Sequence, residues 1–142
     1  MRLVLDASLT LSWFFKEQRV ERSVKALRQV RQSGALVPNL WNVEVAHVLL
    51  RYERRGDLTQ DRTASICDYL RALPISVDPA SEDPTFATLT FARAHDLSAY
   101  DASYLDLAVR FNLKLATLDR RLEAAARALA VSWDSTAPRR RS

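Results

Sequence analysis

The chain has 142 residues, which fits one domain, and 48% of them are hydrophobic, enough for a packed core and against disorder. One cysteine excludes an internal disulfide, and with two histidines it does not make a convincing zinc site. The net charge of +4 is compatible with a polyanionic partner such as RNA. Apolar runs are too short for a secretory signal or a transmembrane helix, so we expect a cytoplasmic protein.

The first half of the chain alternates short apolar runs with longer amphipathic segments. Gly34 stops the second helical pattern and Gly56 the third. The predicted elements are a strand at 3–5, helices at 7–15 and 21–32, a strand at 35–37 and a helix at 40–55.

The second half continues in the same way. Thr59 is the expected N-cap of the next helix. The predicted elements are a helix at 59–73, a strand at 75–77, a polar loop at 78–84, helices at 86–95 and 99–111, a strand at 113–117, a helix at 122–129 and a last short strand at 131–133.

This order predicts an α/β fold with a parallel sheet covered on both faces. In such sheets, functional residues gather beyond the carboxyl ends of the strands. We expect one domain over residues 1–136 and a basic tail over 137–142, where Arg139, Arg140 and Arg141 lie. With only two glycines, the chain has no glycine-rich phosphate loop, which disfavours a nucleotide-binding Rossmann or P-loop interpretation.

Two aspartates follow predicted strands. Asp6 comes directly after the first strand, and Asp119 comes shortly after the fourth. Each could simply cap the following helix. If the two strands are parallel neighbours, however, both carboxylates emerge at the same end of the sheet.

Two further carboxylates lie on apolar helix faces. Glu44 shares its face with Leu40, Trp41, His47 and Val48, and no Lys or Arg lies three or four residues away to pair with it. A charge there is costly unless it is paired, hydrogen-bonded or bound to a cation. Asp101 has Leu97, Tyr104 and Leu105 as neighbours, although a capping box with Ser98 would also explain it.

Asp106 differs from these four, because Arg110 lies four residues on and a surface salt bridge explains it. Together, Asp6, Glu44, Asp101 and Asp119 predict one acidic pocket. Their mutual repulsion would be relieved by a divalent cation, and all-oxygen ligands suit Mg²⁺ or Mn²⁺. Such a site suits phosphodiester hydrolysis by an activated water.

Four residues near this pocket are candidates for contacts with substrate. Ser8 and Thr117 flank the site and could hold metal-bound waters, although local hydrogen bonding also explains them. His47 lies one turn from Glu44 and could contact substrate or orient the Glu44 carboxylate. The alternative is a partly buried, hydrogen-bonded histidine with a structural role. Arg51 begins a cluster with Arg54 and Arg55 that could bind RNA or complement the helix dipole.

The same residues resemble the four motifs of PIN domains, and VapC-type toxins in particular. The motifs are Leu3-Val4-Leu5-Asp6-Ala7-Ser8, Pro38-x-Leu40-Trp41-x-x-Glu44-Val45, Leu97-Ser98-Ala99-Tyr100-Asp101-Ala102-x-Tyr104-Leu105 and Ala116-Thr117-Leu118-Asp119. They occur in order over nearly the whole chain.

This resemblance implies a three-layer α/β/α fold and an Mg²⁺- or Mn²⁺-dependent endoribonuclease that acts on tRNA or ribosomal RNA. It implies that Asp6, Asp101 and Asp119 bind the metal. It implies that Glu44 does not bind the metal directly but acts through a water molecule or by contacting the metal ligands. It also implies a homodimer that a cognate antitoxin silences. The family often has Asn where this chain has His47, which affects the hydrogen bonding around Glu44.

Three other functions stay open. A phosphoacceptor receiver domain fits the length, but it needs adjacent acidic residues after the first strand, where Ala7 follows Asp6. A catalytically silent PIN-like module that binds RNA or protein would not need the four carboxylates. A flap-endonuclease relative would carry additional DNA-binding elements, which we do not find.

Overall fold

The computed structural model describes residues 1–79 and 84–134. Its strands are β1 (Leu3–Leu5), β2 (Ala35–Val37), β3 (Ile75–Val77) and β4 (Lys114–Ala116). Its helices are α1 (Ala7–Ser12), α2 (Glu21–Ser33), α3 (Leu40–Arg54), α4 (Gln60–Ala72), α5 (Pro84–His95), α6 (Ala99–Phe111) and α7 (Arg120–Ala128). The predicted basic tail, with Arg139, Arg140 and Arg141, and part of the predicted loop at 78–84 lie outside the described residues.

The sheet is parallel throughout, with the strand order β3-β2-β1-β4. Helices flank it in a three-layer α/β/α arrangement, which confirms the predicted fold class. Every residue of the central strands β1 and β2 is buried, whereas the edge strand β3 is partly exposed. Leu5 pairs with Ala116, so the carboxyl ends of β1 and β4 lie side by side, as the prediction for Asp6 and Asp119 required.

Some helix ends differ from the prediction. The first helix ends at Ser12 and not at residue 15. The Arg19 guanidinium donates a 2.6 Å hydrogen bond to the Trp13 carbonyl, which would otherwise be free to accept the next helical bond. Helix α5 begins at Pro84 and not at 86, because proline at the first helical position has the required φ and no N–H to satisfy.

Residues 131–133, predicted as a last short strand, do not form a strand in the structure. Ser132 forms only an isolated parallel bridge with Leu115, supported by backbone hydrogen bonds from the Leu115 N–H to Val131 (2.7 Å) and from the Trp133 N–H to Leu115 (3.0 Å). A single paired residue does not extend the sheet. In the described ranges, no helix is both long enough and apolar enough to cross a membrane.

Candidate functional site

Asp6 lies at the junction between β1 and α1 and is only 4% exposed. Its carboxylate caps α1 by accepting a 2.9 Å hydrogen bond from the Leu9 N–H. The Ser8 hydroxyl lies 3.0 Å from both carboxylate oxygens, and the Thr117 hydroxyl donates a short hydrogen bond to one of them. The capping interpretation of Asp6 is therefore correct, and it places a buried carboxylate at the end of the sheet.

Burial dominates the acidity of this group. It raises the pKa of Asp6 from 3.8 to about 6, against the lowering effect of the hydrogen bonds from Thr117, Leu9 and Ser8. The negative charge of Asp101 raises the pKa further. Asp6 thus carries a charge at neutral pH in a place where no cation compensates it among the described residues.

Thr117 connects the two neighbouring strand ends. It follows β4, is 1% exposed and accepts a 3.0 Å hydrogen bond from the Asp119 N–H while it donates to Asp6. Asp119 in turn caps α7 by accepting a 2.9 Å bond from the Leu122 N–H. Thr117 is buried and its hydroxyl orients Asp6, and its role as a substrate-binding residue stays a prediction.

Glu44 has a partner that sequence reasoning missed. The Tyr104 hydroxyl donates a 2.6 Å hydrogen bond to Glu44 Oε1, which joins α3 to α6. Burial raises the pKa of Glu44, the Tyr104 hydrogen bond lowers it, and the charge of Asp101 raises it. Burial and the bond to Glu44 both raise the pKa of Tyr104, so the phenol stays a donor. Tyr104 lies one turn from Asp101 on the same face, and that spacing was the available signal.

Asp101 interacts electrostatically with each of the other three carboxylates. Burial raises its pKa first, the charge of Asp119 raises it further, and Ser98 lowers it. The charge of Asp101 also acts on Asp6 and on Glu44. The Ser98 hydroxyl accepts a 3.1 Å bond from the Asp101 N–H, as a helix cap does. These effects relate Asp101 to each of the other three carboxylates, and the grouping of all four in one pocket stays a prediction.

The other predicted contact residues are distributed differently. Ser8 is exposed and donates to Asp6. His47 is exposed, not partly buried. Arg51 is exposed on α3, seven residues from Glu44, or about 10 Å along the helix axis. These three side chains are accessible to a substrate.

Asp106 is not a surface residue as predicted. It is 7% exposed, and Asp78, after β3, is also buried. Arg110 binds both, with distances of 2.9 Å to Asp106 and 2.8 Å to Asp78. The spacing on the helix correctly predicts the pair with Arg110, but Asp78 is distant in sequence, so only the fold reveals this partly buried three-residue ion network.

The donor set of the acidic pocket consists of oxygen atoms, which suits Mg²⁺ or Mn²⁺. The raised pKa values reflect charges that burial and mutual repulsion leave uncompensated, which is the situation that a divalent cation relieves. Within residues 1–79 and 84–134, no three acidic, histidine or cysteine side chains form a preassembled metal-binding group.

A family model described as PIN domain matches residues 3–128. The chain belongs to the PIN-domain family. Ribonuclease VapC3 of Pyrobaculum aerophilum is 32% identical to this PIN domain over 124 residues, which make up 86% of this chain and 92% of that protein. The chain is therefore a PIN domain of the VapC type.

The crystal structure of PAE2754 from Pyrobaculum aerophilum is similar to this PIN domain with a TM-score of 0.64. The similarity covers 88% of this chain and 86% of that one, at 24% sequence identity. At that identity, the likeness supports the fold alone. It agrees with the three-layer arrangement described above.

Proposed function

We propose that this protein is a metal-dependent endoribonuclease that acts as the toxin of a toxin–antitoxin pair. The observation that carries the proposal is that Asp6 and Asp119 follow the neighbouring strands β1 and β4, and that Asp101 on α6 interacts electrostatically with Asp6, Glu44 and Asp119. The relationship to a protein named as a ribonuclease supports RNA as the substrate.

In this proposal, Asp6, Asp101 and Asp119 hold Mg²⁺ or Mn²⁺. A bound divalent cation lowers the pKa of a coordinated water and neutralises charge on the attacked phosphate. The side chains of the protein hold the carboxylates in position. Ser8 and Thr117 hold the Asp6 carboxylate, and Tyr104 holds Glu44, which acts through water. No side-chain nucleophile is required.

The remaining parts of the proposal rest on the VapC-type relationship. We propose tRNA or ribosomal RNA as substrate, a cytoplasmic site of action, a homodimer, and a cognate antitoxin that blocks the acidic pocket. Light scattering of the purified protein tests the dimer. Co-expression with the product of a neighbouring short reading frame tests the antitoxin, because a true partner should co-purify and suppress cleavage.

The deciding experiment is the cleavage of total cellular RNA by purified protein in Mg²⁺, in Mn²⁺ and in EDTA. Asp101→Asn is assayed alongside, and Asp61→Asn serves as a matched control because Asp61 is an exposed aspartate on α4. We expect discrete fragments that need the metal, persist in the control and disappear in Asp101→Asn. RNA binding without cleavage under every condition would instead support the silent binding module.

A further inference from the structure

Two arginines lie where helix electrostatics disfavours them. Arg120 and Arg121 are the first two residues of α7, directly after the capping residue Asp119. The N-terminus of a helix carries a partial positive charge, so cations there are unfavourable. Both side chains are exposed. Their position calls for an explanation other than the stability of the helix.

Neither arginine has an ion pair or a side-chain hydrogen bond within the described ranges. The nearest acidic residue of the same helix, Glu123, is already occupied. It binds Arg22 at 3.1 Å and Arg127 at 3.2 Å, and it accepts a hydrogen bond from Ser132. Arg120 and Arg121 are therefore available to an external anion.

The charge of the four carboxylates indicates the kind of anion. Four carboxylates in one pocket repel an approaching polyanion, and this repulsion acts over the Debye length of about 8 Å at physiological salt. Asp119 is one of the four, and Arg120 and Arg121 directly follow it. Two free cations at this edge offset the repulsion where a phosphodiester backbone would enter.

An exposed aromatic ring is the chain neighbour of a second of these carboxylates. Tyr100 directly precedes Asp101 in the first turn of α6 and is 63% exposed. No ring or cation contact involves Tyr100 in the part of the chain that the structure describes. Exposed aromatic side chains and unpaired arginines are the groups with which proteins bind unpaired bases and their phosphates.

We propose that Tyr100, Arg120 and Arg121 form a rim that binds a single-stranded segment of the RNA substrate. The arginines bind phosphates, and the Tyr100 ring stacks on a base, which requires that base to be unpaired. The inference rests on the proposed function, because it names residues that would bring the substrate of that activity to the acidic pocket.

The test is the binding of a fluorescently labelled, random-sequence single-stranded RNA 20-mer, followed by anisotropy at several KCl concentrations. EDTA is present so that the RNA stays intact. The variants are Arg120→Ala/Arg121→Ala and Tyr100→Ala. The control is Arg28→Ala/Arg31→Ala, which removes two exposed arginines from α2, a helix that contributes none of the four carboxylates.

Each lost phosphate contact should reduce the slope of log K against log salt by about 0.7, so the rim double variant should lose about 1.4. Tyr100→Ala should weaken binding roughly 5- to 150-fold with an unchanged slope, since the tyrosine carries no charge. The control should keep the wild-type slope. The rim double variant should melt at the wild-type temperature or above, because the two cations that it lacks oppose the helix dipole in the wild-type protein.

Several results would overturn the proposal. One is a rim double variant with the wild-type slope, and another is a control that loses as much slope as the rim variant, which would indicate a net-charge effect. If the rim variant unfolds, Arg120→Gln/Arg121→Gln replaces it and must lose about the same slope. Metal-dependent cleavage by wild type with unaltered binding by the variants would refute the rim alone. A wild-type protein that neither binds nor cleaves RNA would refute the proposed function as well.

Discussion

Asp6→Asn should stabilise the metal-free protein at neutral pH. The Asp6 carboxylate is buried, and its pKa is raised from 3.8 to about 6, chiefly by desolvation. This difference corresponds to about 3 kcal/mol at the pH where the group is ionised in both states. Asparagine fills the same space without the charge, so most of that cost should disappear.

The pH dependence follows from the direction of the shift. Between pH 3.8 and about 6, the folded protein binds the Asp6 proton while the unfolded chain releases it. The contribution of Asp6 to stability is therefore highest below pH 3.8 and falls as the pH rises through this window. The gain from Asp6→Asn should be small at pH 4 and larger by roughly 2–3 kcal/mol at pH 7.5.

Urea unfolding in EDTA measures this gain, because the buried indoles of Trp13, Trp41 and Trp133 report unfolding by fluorescence. Asp106→Asn is the matched control. Asp106 is also buried but pairs with Arg110, so its replacement should cost roughly 1 kcal/mol or more at pH 7.5. Adding Mg²⁺ should stabilise wild type more than Asp6→Asn. An Asp6→Asn gain that is absent at pH 7.5, or equal at both pH values, would refute the reasoning.

Three further substitutions test other contacts. Tyr104→Phe removes the 2.6 Å bond to Glu44 and should cost about 1–3 kcal/mol in urea unfolding and lower the cleavage rate; unchanged cleavage would show that this bond does not matter for activity. Arg110→Met leaves two buried aspartates without their cation and should cost about 2–3 kcal/mol, so an unchanged urea midpoint would contradict the ion network. Gly34→Ala should cost about 1–3 kcal/mol in thermal unfolding, because Gly34 has φ +87° and a Cβ would lie 3.0 Å from a backbone oxygen; Gly56→Ala, with φ +79° and open space, should cost less.

Local features of the sequence account for much of the fold. Strand and helix positions followed from the apolar periodicity, and the predicted strand at 35–37 and helix at 99–111 agree with the structure residue for residue. Asp6 and Asp119 were recognisable because polar residues that closely follow neighbouring parallel strands lie at one edge of the sheet. The error at residues 13–15 has a local cause, since the guanidinium of Arg19, six residues on, occupies the Trp13 carbonyl, and no periodicity of apolar residues reveals this hydrogen bond.

The sequence by itself determined the order of elements, the parallel α/β class and the four carboxylates, because periodicity, caps and motif spacing are properties of neighbouring residues. Tertiary structure alone decided which side chains donate hydrogen bonds to those carboxylates. Tyr104 reaches Glu44 across 60 positions and Thr117 reaches Asp6 across 111. It also decided that Asp78 and Asp106 share a cation. Burial, which sets the pKa values of the site, depends on packing between elements that are far apart in the chain.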